Sequence, residues 1–491
     1  MGIIKKQSLQ SSIINFIGIG IGSITRLLMP FVLTTTQIGL LGLLDSISGS
    51  FISFFNMGFN LILKNLFPKF RNNQEGHAGF LSFGIMLSLI GIVTAICSFY
   101  LFEDAILSNQ ASDIPIIQEY AFLIPILIFF RIMYMNLDGY VRILYKTVIG
   151  TFLDGFLAKV MLLIILILFT QSILTFNSFI YLYALTLSMP GLIIIGVAVK
   201  NTEKITFPKK ALIHKENKIP SLVLFGILSG SAGSLISFVD TFMIYKMYPE
   251  NPEDYVGVYS IMLLATVLIT IPAKSLNKIS SVILADSWIK RDIRNIESIY
   301  KKSCNNLLIV GGFLFIVGWA CIDEVLYYLP EYQKGKYIFF FLGLARIVDL
   351  ATGVNADIIE TSKKYKYNTY FNIALGILVV SLNYILISSH GIVGAALATL
   401  IGVASINIAR SLFLISKYKL NPYNRQFWKS AAHFIILTIC VSVFDYEVNP
   451  LLKIAINVIV ITAVFWFTIY KFNLSADITE SIDRIWKKIK R

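Results

Sequence analysis

The chain is expected to be an all-α integral membrane protein with 14 transmembrane helices: two six-helix lobes related by a pseudo-twofold axis, then two carboxyl-terminal helices. Three observations predict this. Mean hydropathy is +0.74, with 56% hydrophobic and only 14% charged residues, where a soluble globular domain carries about 25% charged. Apolar stretches recur at about the 20-residue length that crosses a hydrocarbon core of roughly 30 Å. The basic residues between them fall on alternate loops.

Taken in order, Lys5 and Lys6 precede the first expected span, 9–33, and 38–63 follows. Connection 64–78 holds Lys64, Lys69 and Arg71, whereas 102–116, after span 79–101, holds Glu103, Asp104 and Asp113 and no base. Spans 117–141, 148–169 and 175–199 lead to the basic stretch Lys200 to Lys218. Spans 221–247 and 255–275 end at Lys274 through Lys302, and 304–329 and 337–359 at Lys363 to Lys366. Spans 368–388 and 391–415 reach Lys417 to Lys429, and 427–444 and 451–470 precede the tail Lys487 to Arg491.

Of the 42 basic residues, 33 lie on the amino-terminal side, 5 inside helices and 4 on the opposite side: Lys246, Lys334, Lys336 and Lys453. By the positive-inside rule both termini are cytoplasmic. The net charge of +14 is thereby explained as topogenic signal and contact with anionic headgroups, with no nucleic-acid partner. The first apolar run is long and lacks a small-residue cleavage site, so it is expected to remain as helix one. Cys97, Cys304, Cys321 and Cys440 show no metal-binding or C-x-x-C spacing and are read as free thiols; the four histidines are equally scattered.

An internal repeat organises the chain. Ile38-Gly39-Leu40 matches Val256-Gly257-Val258 after 218 residues, Arg131-Ile132 matches Arg346-Ile347 after 215, and Arg26 aligns with Asp240 after 214. Six spans separate the copies, so they share one orientation, as repeats related by an axis along the membrane normal do. The expected organisation is an amino-terminal lobe over 1–200, a cytoplasmic linker over 201–218, a carboxyl-terminal lobe over 219–417, and 418–491 holding the last two spans and a basic tail. The lobes are expected to face each other across a central cavity.

The segment from Asp240 to Pro422 contains Gly257-Val258-Tyr259, Ile271-Pro272-Ala273-Lys274, Leu342-Gly343-Leu344-Ala345-Arg346, Gly353-Val354-Asn355, Asn383 and Gly391-Ile392-Val393-Gly394-Ala395-Ala396-Leu397-Ala398-Thr399. With the opening Met1-Gly2-Ile3-Ile4-Lys5-Lys6-Gln7-Ser8, it resembles bacterial polysaccharide flippases, the Wzx-like members of the superfamily that also holds MATE drug/cation antiporters and lipid II flippases. The resemblance implies a MATE-like fold in the bacterial inner membrane. It implies alternating access that moves a polyprenyl-diphosphate-linked oligosaccharide for O-antigen, capsule or exopolysaccharide, with the prenyl tail left in lipid. Expected partners are this substrate, membrane lipids and other polysaccharide-assembly proteins. A monomer is expected, and no cofactor beyond H⁺ or Na⁺ as coupling ion.

Ionisable residues within the expected spans include eleven away from the basic loops and the outer ends: Arg26, Asp45, Arg131, Asp138, Asp154, Lys159, Asp240, Arg346, Asp349, Asp357 and Arg410. Exposing all of them to lipid would cost on the order of 30 kcal/mol, so they must face one another or water. Asp138 with Arg142, and Arg346 with Asp349, are spaced to neutralise each other on one helix face. Arg26, Arg131 and Lys159 have no local counter-ion. Guanidinium forks suit phosphate, which makes Arg26, Arg131, Lys159 and Arg346 the candidates for binding diphosphate or acidic sugars. Asp154, Asp240, Asp349 and Asp357 are candidates for ion coupling or gating, with Arg26 and Asp240 as a gating pair; static charge compensation is the plainer reading. Asn355, Asn372, Asn383 and Asn407 suit sugars or, preferably, neighbouring helices. Pro125, Pro190 and Pro272 are positioned to kink spans.

Two other functions compete. A multidrug/cation antiporter would present acidic and aromatic groups to its cargo, whereas the lone charges near the midplane here are basic. A membrane-embedded glycan polymerase or transferase needs catalytic groups on a sizeable loop surface. The outer loops are short, and no H-E-x-x-H, G-x-S-x-G or P-loop motif is present. A non-enzymatic transporter is therefore expected.

Overall fold

The computed structural model describes residues 2–67, 70–72, 76–108, 116–144, 146–202, 204–214, 219–248, 250–271, 273, 280, 283–284, 286–288, 290–444, 446–480 and 483. Among these the chain is almost wholly helical, a multi-pass membrane protein as its composition requires. It divides into two compact units, residues 1–257 and 258–491.

The first unit opens with α1 (Gly2–Leu28), α2 (Thr35–Phe55) and α3 (Phe59–Leu66). Thr34 starts α2 through a capping box, its hydroxyl accepting from the Gln37 backbone while the Gln37 side chain accepts from the Thr34 N–H at 3.1 Å. The expected span 38–63 is interrupted after α2, where Asn56 donates to Ile52 O and Ser53 O and Gly58 takes φ +58°. Next come α4 (Phe80–Leu101), α5 (Leu123–Ile143) and α6 (Thr147–Phe152); a π-helical turn, Leu153–Leu157, joins α6 to α7 (Ala158–Thr170). The unit continues with α8 (Phe176–Lys200) and α9 (Ile219–Met247). Helix α5 is central, packed by α8, α4 and α2, while α9 lies on α2 and α1 lies along α6 and α7.

Helix α10 (Pro252–Val267) begins in the first unit and carries the boundary. At its start two glycines allow a close backbone contact. A Cβ on Gly39 would come within 1.8 Å of Glu253 O, and one on Gly257 within 2.1 Å of Thr35 O. The contact is reciprocal between repeat-related positions, and only glycine permits the approach. Asp254 reinforces it by accepting from the Thr35 and Thr36 hydroxyls.

The second unit contains α11 (Ile293–Tyr327), α12 (Lys336–Ala351), α13 (Asn355–Thr361), α14 (Lys366–Tyr418), α15 (Arg425–Val443) and α16 (Pro450–Lys471). Helix α11 packs on α12, α15 and α16, around a core that includes Tyr300, Phe315, Ile347 and Phe465. The 53 residues of α14, about 80 Å if straight, exceed any bilayer. They do not run straight. Gly391 takes φ +62° and ψ −146°, Gly394 lies against the backbone of Leu386 and Gly402 against Val379, so two antiparallel arms meet at one residue. The small-residue run from Gly391 to Ala398 thus serves close packing.

Eleven helices among the described residues are long and apolar enough to cross a membrane, or twelve if the bent pair Pro330–Ala351 and Asn355–Thr361 is one span. The expected count of fourteen is not reached by that criterion. It scores doubled α14 once, and residues 229–237 of α9 have side chains outside those described. Span 337–359 is corrected to a broken one, bent by 49° where Gly353 takes φ +58° against Ser303.

Proline behaves as its position dictates. Pro190 is inside α8, but Pro125 occupies the first turn of α5, where a missing N–H breaks no helical bond; Pro272 lies outside the described residues. The described part of the expected linker docks on the turn before α4, with Lys209 N donating to Ala78 O at 3.0 Å.

Candidate functional site

Five charges from five helical segments gather in the first unit. On α5, Arg131 Nη1 lies 2.7 Å from Asp45 Oδ1 of α2 and donates to Ser48 Oγ at 3.2 Å. Both side chains keep exposure, 27% for Arg131 and 43% for Asp45. From α7, the Lys159 stem crosses α1 at Gly22, where a Cβ would be 3.2 Å from Lys159 Cδ. The ammonium lies in the combined field of Arg26, Asp154, Asp45 and Arg131. Tyr183 of α8 feels Asp45, Arg131 and Arg26.

Local backbone places two of these groups. Asp154 sits in the π-helical turn Leu153–Leu157, a distortion that recurs at functional sites because it re-aims side chains. Helix α1 approaches that turn so closely that a Cβ on Gly18 would be 1.6 Å from Gly155 O. Next to Asp154, Tyr134 donates to Gly150 O at 2.9 Å. Arg26 is exposed in the last turn of α1. Three cations therefore stand against two carboxylates, and a cluster with that surplus attracts a polyanion.

Asp45 is the member that sequence reasoning left out of the site. The signal for it was an intramembrane acid with no local partner, but only the crossing of α2 and α5 identifies that partner as Arg131. Asp138 behaves as its spacing predicts, bound to Arg142 at 2.5 Å with Asp138 buried. Arg26 and Asp240 form no ion pair: Arg26 has none among the described residues, and Asp240 is buried, 1% exposed, on α9.

The second unit organises its charges through amides. Asn407 donates to Asp349 Oδ1 at 3.1 Å and accepts from Asn355 at 3.0 Å. Arg410 donates to Asn372 and lies in the field of Asp349, Asp357 and Glu360. The expected pairing of Arg346 with Asp349 does not occur. Asp349 accepts from α14 instead, while the buried Arg346 Nε has no hydrogen-bond partner. Asp357 lies on α13, beyond the break at Gly353. The amides serve helix packing here, and Asn383 is fully buried.

Cys97 and Cys440 are exposed and Cys304 and Cys321 buried, all as free thiols. Among the described residues no group of His, Cys, Asp and Glu is placed to hold a metal.

No family model matches the sequence, and no curated protein matches it. Solved structures do. The chain superposes on one described as "Lipid II flippase MurJ, inward closed conformation" with TM-score 0.71 and 14% identity, covering 95% of this chain and 100% of that one. An inward-facing multidrug resistance MATE family transporter of the MOP superfamily gives TM-score 0.63 at 14% identity, over 85% and 95% of the two chains. A MOP superfamily transporter from Pyrococcus furiosus, described as having a binding pocket of reverse polarity, gives 0.56 at 12% identity over 88% and 96%. The fold of this chain is the one shared by MurJ and the MATE transporters.

Proposed function

We propose that the protein translocates a polyprenyl-diphosphate-linked oligosaccharide across the cytoplasmic membrane by alternating access, for surface polysaccharide biosynthesis, with both termini cytoplasmic. The observation that carries this reading is the cationic surplus of Arg26, Arg131 and Lys159 over Asp45 and Asp154, on a fold shared with a lipid II flippase. Asp45 positions the Arg131 guanidinium, and Arg131 with Arg26 and Lys159, which have no ion pair among the described residues, forms the cationic face for a diphosphate. Arg346, with its unsatisfied Nε, is the fourth basic group and suits an acidic sugar. Asp154, whose charge acts on Lys159, is a candidate to load H⁺ or Na⁺ during the cycle, as are Asp240, Asp349 and Asp357.

Complementation of a host lacking its own polysaccharide flippase tests this. Wild type restores surface glycan, and Arg131→Ala abolishes it with membrane abundance unchanged; full export by Arg131→Ala would refute the assigned role. The MATE likeness favours a second reading, cation/drug antiport. Under it, expression raises resistance to cationic dyes, and glycan export is not restored.

A further inference from the structure

In the first unit, residues 204–209, between α8 and α9, run without helix along the turn before α4. The strap is held there by its backbone. A Cβ on Gly76 would lie 2.1 Å from Lys204 O and 3.0 Å from Thr206 Oγ1, and one on Gly79 would lie 2.4 Å from Phe207 O. Lys209 N donates to Ala78 O at 3.0 Å. Thr206 thus faces the turn, and because side chains alternate along an extended chain, Ile205 and Phe207 face away from it. Both are exposed, Ile205 at 54% and Phe207 at 87%, the highest value for a large apolar side chain among the described residues, whereas Leu212 is fully buried.

The strap lies at the level of a membrane surface. Helix α4 has 22 residues, about 33 Å, which matches a hydrocarbon core of roughly 30 Å, so the turn that bears the strap sits where the core ends. Aromatic side chains gather at that level. The backbone contacts leave Phe207 no route into the protein interior, and its ring meets either water or lipid. Burying a phenylalanine favours lipid roughly tenfold to a hundredfold, and a strap already fixed pays little further ordering cost on insertion.

Charge then selects the lipid. From Lys200 to Lys218 the sequence holds six lysines, Lys200, Lys204, Lys209, Lys210, Lys215 and Lys218, against Glu203 and Glu216. Lys204, Lys209 and Lys210 are exposed beside the two apolar tips. Apolar tips flanked by bases complement a surface that is anionic at its headgroups and apolar beneath them. A soluble protein would have to displace lipid to reach side chains at this depth. We propose that the strap is a membrane anchor, which inserts Ile205 and Phe207 into a leaflet of anionic phospholipid while Lys204 and Lys210 meet its phosphates. The proposal rests on the membrane-spanning fold and is independent of which substrate is transported.

Spin-label accessibility in the purified full-length protein tests it, with the exposed Cys97 and Cys440 replaced by serine and the protein held in nanodiscs of phosphatidylglycerol and phosphatidylcholine. A nitroxide on Phe207→Cys is relaxed by oxygen more than by an aqueous nickel chelate, as is one on Val93→Cys, a lipid-facing position of α4; a nitroxide on Lys210→Cys shows the reverse. Adding Lys204→Gln and Lys210→Gln to the label at 207 lowers its ratio of immersed to aqueous populations roughly twentyfold, about fivefold per lysine. Nanodiscs of phosphatidylcholine alone lower it likewise. An aqueous label at 207 in the phosphatidylglycerol nanodiscs would overturn the proposal and leave the strap to a soluble partner. Immersion unchanged by the lysine substitutions or by removal of phosphatidylglycerol would overturn it as well.

Discussion

The two units use their intramembrane charges differently. In the first, Arg131 takes a carboxylate directly from another helix at 2.7 Å, and Arg26 and Lys159 stand in the same field without a carboxylate of their own. In the second, Asp349 and Arg410 are held by Asn407 and Asn372, and the acidic groups Asp349, Asp357 and Glu360 surround the arginine. Repeat-related arginines, Arg131 and Arg346, thus sit in opposite surroundings: one is ion-paired, and the other has a buried Nε without a partner. Two arginines aligned in sequence thus differ in electrostatics, because each depends on what its neighbouring helices bring.

The largest expected effect breaks the cationic side of that contrast. Lys159→Glu turns the amino-terminal cluster from one excess positive charge to one excess negative, and transport of a diphosphate-linked substrate should fall at least about a hundredfold, since each lost charged contact is worth roughly 1.5–3 kcal/mol. Initial rates in proteoliposomes measure this. A rate within twofold of wild type would mean that the cluster is structural.

A smaller effect is expected in the amide network. Asn407→Ala removes the donor to Asp349 and the acceptor for Asn355, both supplied by a side chain 2% exposed. A loss of about 1–3 kcal/mol of stability should follow, read as a lowered midpoint in thermal unfolding in detergent. Substrate affinity should change far less than for Lys159→Glu; the reverse order would assign binding to the second unit.

The smallest effect lies outside the spans. Lys302 donates to Asp477 at 2.8 Å, and this bond with that from Asn306 holds the Asp477 carboxyl below the usual aspartate range. A depressed folded-state value contributes stability above the unfolded aspartate pKa of about 3.9 and loses it as pH falls through the folded value. Lys302→Met should therefore destabilise by about 0.5 kcal/mol or less at pH 7, the scale of an exposed pair. The gap between variant and wild-type melting curves should close at acid pH.

Much of the architecture was legible because hydropathy and loop charge are properties of segments. The boundary between expected spans 368–388 and 391–415 coincides with the reversal at Gly391, and the Gly39/Gly257 repeat anchors proved to be a backbone contact. Asp138 and Arg142 paired because four-residue spacing on one helix suffices. The breaks at Asn56 to Gly58 and at Gly353 were not legible, since a short interruption within an apolar run leaves mean hydropathy unchanged. The partner of Arg131 was equally hidden, 86 residues away.

Sequence alone determined that this chain is a multi-pass membrane protein and where most of its apolar segments lie. The physical reason is that transfer free energy sums along contiguous residues. Tertiary structure decided which ionic groups meet. It joined Asp45 to Arg131 and gave Asp349 to Asn407 in place of Arg346. Those outcomes depend on helix crossings and on single-residue turns, and Coulomb and hydrogen-bond energies act over a few ångströms that segment composition does not encode.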